Sequence, residues 1–260
     1  MRIPDPWIAA WQREEQQPFT GWDFSYLEGR MQEDLPPWSY AARAAELMQK
    51  ATSVLDLGTG GGERLLQLKP YWPTTVVATE VYPPNVHVAT QRLVPAGAQV
   101  VEVSDSDDAI LPFPDAAFDL VLNRHSGFNS AEVARTLTPG GTFLTQQVHG
   151  LWAHDLLAAF DATPLWPDAT PEHYVPRLQQ AGLAEVAVHD WSGTLSFADV
   201  GAIVYYLKAI PWLVPGFSVT THALYLQQLQ RRRDRGEPLV FTAKHYLIEA
   251  RKPTLQEGTR

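Results

Sequence analysis

Ser53-Val54-Leu55-Asp56-Leu57-Gly58-Thr59-Gly60-Gly61-Gly62-Glu63 governs how the rest of the chain is read. An apolar run of strand length passes into a glycine-rich turn and then into a helical pattern. Glycines at 58, 60 and 62 let the backbone turn tightly and approach a ligand where a Cβ would stand in the way, at a cost in chain entropy. A dinucleotide crossover needs Gly-x-Gly-x-x-Gly, whose third glycine would fall at 63. Glu63 stands there, so the spacing disfavours a pyrophosphate ligand. What remains is Asp-x-Gly-x-Gly-x-Gly, with Asp56 at the strand end, where an acid suits a ligand that presents an amine.

Outward from that turn, short β-branched runs alternate with helical patterns as far as residue 148, which argues for βα units and a mostly parallel open sheet. Strands are predicted at Ser53–Leu57, Thr75–Glu80, Gln99–Val103, Phe118–Asn123 and Gly141–Val148, with helices near Gly62–Leu68, Asn85–Leu93 and Ser130–Leu137. The run Thr138-Pro139-Gly140-Gly141 reads as the breaker that ends the last of these helices. Further strands at Leu183–Asp190 and Leu239–Ala250 bring the expected count to seven. Helices are predicted at Tyr40–Lys50, Leu151–Phe160, Pro171–Ala181, Phe197–Ile210 and Val219–Arg235. Residues 1–50 read as a helical cap, 51–148 as the ligand-binding core, 149–170 and 193–238 as cap insertions and 239–250 as the last strand, all in one domain of 260 residues.

Composition narrows the function classes. Twenty Lys and Arg against 29 Asp and Glu leave a net charge of −9, so the chain has no overall pull toward phosphate backbones or anionic lipid and nucleic acid is an unfavoured partner. With no cysteine, disulfides, thiolate metal sites and a cysteine nucleophile are excluded. No His-Glu-x-x-His occurs, and no metal is expected. The first residues, with Pro4, Asp5 and Pro6, lack the basic start and apolar run of a signal peptide, and Val200–Phe217 is too short and interrupted to span a bilayer. The expected location is the cytoplasm.

With its acid-and-glycine turn, the chain resembles the class I S-adenosylmethionine-dependent methyltransferases over about residues 50–148, in particular the group containing the ubiquinone and menaquinone C-methyltransferases and many small-molecule methyltransferases. The resemblance implies a Rossmann-like, doubly wound mixed sheet, mostly parallel with the last strand antiparallel, and S-adenosyl-L-methionine as cofactor. It implies cofactor contacts from Asp56, Gly58, Thr59, Gly60 and Gly62, and from Glu80, which closes the second strand where the family's acid takes both ribose hydroxyls. Ser104-Asp105-Ser106-Asp107-Asp108, with Leu111-Pro112-Phe113 following, is similar to the family's adenine turn, with Asp107 or Asp108 facing the adenine amine. Asn123 is then expected at the methionine end of the cofactor, with Arg124 and His125 on the acceptor side. The Asn-Pro-Pro-Tyr of base-modifying amino-methyltransferases is missing here.

The expected activity is methyl transfer to a small, partly apolar acceptor. An RNA or protein methyltransferase and a non-catalytic cofactor-binding protein are the alternatives, and the oligomeric state is open. His125 has the stronger claim among the histidines, because a strand end at the carboxyl edge is where open α/β sheets place ligands and a pKa near ~6.5 makes imidazole available as a base. His149 is second. The aromatic residues Trp22, Phe24, Trp38, Tyr40, Trp152, Trp166, Trp191, Tyr205, Tyr206 and Trp212 are expected to build the cap, since rigid rings exclude water and tolerate a cation.

Overall fold

A computed structural model describes residues 6–19, 23–104 and 110–254. Trp22, Asp107 and Asp108, singled out above, lie outside the described residues. The elements are α1 (Pro6–Glu15), β1 (Met31–Glu33), α2 (Tyr40–Met48), β2 (Ser53–Leu57), α3 (Glu63–Gln67), β3 (Thr75–Glu80), α4 (Pro83–Leu93), β4 (Gln99–Glu102), β5 (Phe118–Arg124), α5 (Ser130–Thr136), β6 (Leu137–Val148), α6 (His154–Ala158), α7 (Pro171–Gln180), β7 (Ala184–Phe197), α8 (Val200–Ala209), α9 (Ala223–Asp234) and β8 (Leu239–Arg251). Hydrogen bonding orders the strands β1-β7-β8-β6-β5-β2-β3-β4. The sheet therefore has eight strands where seven are predicted. The extra one is β1, Met-Gln-Glu, too short to show an alternation and free of β-branched residues.

The chain forms two compact units, Pro37–Val148 with Ala169–Asp190 and His245–Arg260, and Met1–Pro36 with His149–Asp168 and Trp191–Lys244. In the first unit β2, β3, β4, β5 and β6 run parallel and β8 is antiparallel to β6. Side chains alternate between its two faces. Val54, Val76, Ala78, Leu120, Leu122, Leu144 and Leu247 pack on one face with Ala44 and Met48 of α2 and Leu93 of α4. Leu55, Leu57, Val77, Val121, Phe143, Tyr246 and Ile248 pack on the other with Val133 of α5 and Leu178 of α7. Helix α2, grouped in the sequence with the N-terminal cap, belongs to this unit; Ser39 Oγ caps it by accepting from Ala42 N–H at 3.1 Å.

Of the boundaries that differ from expectation, two in this stretch have local causes. The turn 138–141 does not separate helix from strand: it lies inside β6, whose register against β5 shifts between Phe118 and Leu120. Helix α6 starts three residues late because Ala153 is left-handed (φ 50°) and the His149 imidazole accepts Leu151 N–H at 3.0 Å, which holds 149–152 as a turn.

In the second unit, β7 runs past its expected end at Asp190 through Trp191–Phe197, the part from 193 on being read above as insertion, and β1 pairs with it from Met31↔Phe197 to Glu33↔Leu195. Asp199 then stops the strand and caps α8, its Oδ1 accepting Ala202 N–H at 2.9 Å. Helix α8 is buried on all sides apart from Lys208, as its continuous apolar sequence requires. Arg30 bridges Glu14 and Asp199, bonded to each through two nitrogens. Tyr205, Tyr206, Phe24, Trp152 and Trp191 all pack in this unit's core; Trp166 and Trp212 are exposed.

Candidate active site

Strand register decides which polar residues meet at the carboxyl edge of the parallel strands. Asp56 is level with Ala78 on β3 and Leu122 on β5, and Arg124 is level with Gln146 on β6. By parity Asp56, Glu80, Arg124 and Gln146 all share the face of Val54, Ala78, Leu122 and Leu144, whereas Asn123, Thr145 and Gln147 share the face of Val121 and Phe143. The spacing of two residues that makes a strand amphipathic thus sorts the edge into two polar groups.

The second group is closed on itself. Asn123 Nδ2 donates to Leu57 O at 3.1 Å, and its Oδ1 accepts from Thr145 Oγ1 at 2.8 Å and Gln147 Nε2 at 2.6 Å. Gln147 Nε2 also donates to Ser126 O at 2.9 Å. Asn123 is fully buried, so its side chain braces β2, β5 and β6 and ties them to the loop that follows.

The first group surrounds the glycine turn. Thr59 N–H donates to Thr79 O and Gly62 N–H to Thr59 O, which folds the turn back over β3. Gly58, Gly60 and Gly62 have φ of 69°, 61° and 81°. A Cβ at Gly58 would strike the Ser126 side chain and one at Gly62 would strike Leu93, but a Cβ at Gly60 would point into open space. Two glycines are therefore needed for internal packing, and Gly60 lines a cradle. Glu80 sits buried beside it: Oε2 accepts Gly60 N–H at 2.6 Å, and Oε1 accepts the N–H groups of Val81 and Tyr82 at 2.9 and 3.0 Å. A carboxylate offers about four acceptor positions, so room for a further donor remains. Arg92 of α4 holds the turn from outside through Gly61 O and Glu63.

Asp56, enclosed by protein atoms yet partly reachable by solvent, has its carboxyl pushed up to about 7, first by burial and further by the Glu80 charge, against a Thr59 hydroxyl contact that lowers it. Tyr40 approaches from α2 with its hydroxyl buried, raised by desolvation and by Asp56 and lowered by Arg124. Burial and the neighbouring Arg64 hold the Arg124 guanidinium below its ordinary value. His125 ends the strand with φ 54°, a left-handed conformation that costs a non-glycine residue backbone strain. Its ring stacks on His245 at 5.9 Å and lies 3.3 Å from Gln146 Nε2. Crowding, with Arg124, His245 and Arg64 nearby, depresses its pKa well below 6.5, in place of the ordinary value expected from sequence. The residue as a whole is nonetheless solvent-exposed. Arg64, Gln146 and His245 carry no site signal in the sequence, and Tyr40 is read there only as a cap aromatic; strand parity at 146 and the fold itself bring them here. His149, the second-ranked histidine, is buried in the other unit.

Among the described residues no three His, Asp or Glu side chains converge as metal ligands, and no helix is long and apolar enough to cross a membrane. A cradle glycine with open space before it, a buried acid at the end of the next strand and a second acid beneath the turn form an open polar cradle at the carboxyl edge, where open α/β sheets place their ligands. The profile of the family described as "Methyltransferase domain" matches residues 55–145. Over that segment the chain is similar to methyltransferase domains. The demethylmenaquinone methyltransferase of Deinococcus radiodurans is 35% identical over 115 residues, 40% of this chain and 46% of that protein. The fatty-acid O-methyltransferase of Mycolicibacterium smegmatis is 34% identical over 113 residues, 40% of each chain. The chain thus spans less than half the length of these curated relatives. The crystal structure of the YcgJ protein of Bacillus subtilis shares the fold, with a TM-score of 0.55 and 20% identity over 82% of this chain and 99% of that one.

Proposed function

We infer that the chain is an enzyme that binds S-adenosyl-L-methionine and transfers its methyl group to a small, partly apolar acceptor, in the cytoplasm. The observation that carries this reading is the joint placement of Gly60, Glu80 and Asp56: an open cradle with a carboxylate on its rim and another at its floor. The cofactor supplies an electrophilic methyl carbon on a sulfonium. Gly58, Thr59, Gly60 and Gly62 shape the turn against it, Glu80 accepts from the ribose hydroxyls, and Asp56 faces the amine. Asp107 or Asp108 is assigned to the adenine by resemblance. Asn123 acts as the brace of the edge, a change from the direct contact expected at the methionine end.

For an in-line displacement the protein's work is alignment and exclusion of water. Arg124, crowded and without an ion pair among the described residues, is suited to an acceptor carboxylate or phenolate. His125 faces the acceptor as well. The relatives' names offer two acceptor chemistries, a quinol and a fatty acid, and the net charge of −9 argues against RNA.

Calorimetry is expected to show binding of S-adenosylmethionine and S-adenosylhomocysteine and none of NAD. Transfer of labelled methyl to a demethylmenaquinol or to a long-chain fatty acid then separates the two acceptor classes. NAD binding with no response to S-adenosylmethionine would overturn the reading.

A further inference from the structure

Beside the cradle, three side chains of the sheet-bearing unit form a chain with an unambiguous direction. Trp38 Nε1–H donates to Gln146 Oε1 at 2.9 Å, and Gln146 Nε2 lies 3.3 Å from His125 Nε2. Indole nitrogen only donates, so the Gln146 atom facing it must be the oxygen. The amide nitrogen then faces His125, and because an amide nitrogen also only donates, His125 Nε2 must accept. A neutral imidazole carries one proton, which is left on Nδ1.

Neutrality has its own support. Burial first, and then Arg124, His245 and Arg64 nearby, oppose a positive charge on this ring. The ring is also fixed in place, stacked against His245 and carried by a left-handed backbone whose N–H donates to Gln146 O at 2.9 Å. Among the described residues Nδ1 has no hydrogen-bond partner, and the residue as a whole is solvent-exposed.

We propose that Trp38 and Gln146 are positioning residues that lock His125 as the neutral Nδ1–H tautomer, so that it presents a hydrogen-bond donor to an acceptor arriving with an already ionised oxygen. This rests on the methyl-transfer reading for what Nδ1–H meets, but the tautomer itself belongs to the protein alone. In this state His125 removes no proton, because its free basic nitrogen is already covered by the Gln146 amide. With Arg124 next to it, the edge selects phenolate-like or enolate-like oxygens over neutral alcohols.

The test is ¹⁵N-resolved imidazole spectroscopy on the whole chain, with the His125 signal assigned by its loss in His125→Gln. Wild type is expected to show a protonated Nδ1 and an unprotonated Nε2 from pH 8 down to pH 5. Gln146→Glu, of the same shape but accepting at both oxygens, is expected to invert the pattern to Nε2–H and to shift the ring's titration upward. Trp38→Phe should lose the single-tautomer signature while circular dichroism stays unchanged.

4-Nitrophenolate at pH 8, added with S-adenosylhomocysteine present, is expected to move the Nδ1 proton downfield in wild type and not in Gln146→Glu. A wild-type ring protonated on Nε2, or averaging between both tautomers, or insensitive to the phenolate, would overturn the proposal. Failure to bind S-adenosylhomocysteine in calorimetry on the same samples would instead overturn the proposed function, since the tautomer is read without ligand.

Discussion

Two arginines in this chain sit among carboxylates or hydroxyls, and their surroundings have opposite effects. Arg30 is bonded twice to Glu14 and twice to Asp199; its pKa is raised and that of Asp199 is lowered, so both partners are held in their charged forms. Arg124 lies near Arg64 and Tyr40 with its pKa lowered, and nearby Asp56 is raised, so each is pushed toward neutrality. Ion clusters that hold a fold together satisfy themselves. A cluster whose charges are opposed by their own neighbours leaves charge for a ligand to offset, and this difference sets the candidate site apart from the structural polar network.

The comparison can be broken most decisively at the cradle. Gly60→Val fills the open space before the turn and is expected to abolish cofactor binding, a loss of over ~100-fold or about 2.7 kcal/mol, measured by calorimetry. Its left-handed backbone adds a stability cost of about 1–2 kcal/mol. Glu80→Gln, next in size, replaces an acceptor with a donor that faces N–H groups; cofactor affinity is expected to fall by ~1.5–3 kcal/mol, and an unchanged dissociation constant would remove Glu80 from the ribose.

The paired excisions Arg30→Met and Arg124→Met test the contrast itself. Arg30→Met strands two acids and is expected to cost about 2 kcal/mol in urea unfolding, allowing for partial exposure, with cofactor affinity unchanged. Arg124→Met is expected to leave stability within about 0.5 kcal/mol and to reduce methyl transfer. Equal stability losses in the two variants would erase the distinction.

A further test concerns pH and is read as a slope. Asp56 has a native pKa of about 7 against 3.8 in the open chain, so between those values the folded state holds a proton that the unfolded state lacks. This contribution to stability is complete below the lower value and is lost as pH rises through about 7, with a slope of at most about 1.4 kcal/mol per pH unit. Asp56→Asn should flatten the ligand-free stability profile between pH 5 and 8. A profile parallel to wild type would mean that Asp56 is ionised throughout.

Much of the fold was readable because period and punctuation agree in the sequence. Ser53 to Leu57 and Thr75 to Glu80 are bounded by unmistakable turns, and their observed limits match. The glycine turn was readable for the same reason, since each glycine has a conformational task. The path of β7 was not, because Trp191-Ser192-Gly193-Thr194 looks like a loop until Asp34 accepts the N–H and hydroxyl of Thr194 and β1 pairs alongside it. The role of Asn123 also stayed hidden: its neighbours Thr145 and Gln147 stand more than twenty positions away, and only register brings them within 2.8 Å. Gln146 was legible in principle by parity with Arg124, but a glutamine in a strand carries no signal of what it holds.

The order of the sheet has a consequence for how the protein behaves in concentrated solution. Its outermost strands, β1 and β4, are three and four residues long, and each ends in a glutamate, Glu33 and Glu102. An exposed strand edge is a template for another chain, and both shortness and charge spoil it. In a chain with net charge −9, such edges oppose edge-to-edge pairing with another chain. Colloidal robustness is therefore written into the two least conspicuous strands of the fold.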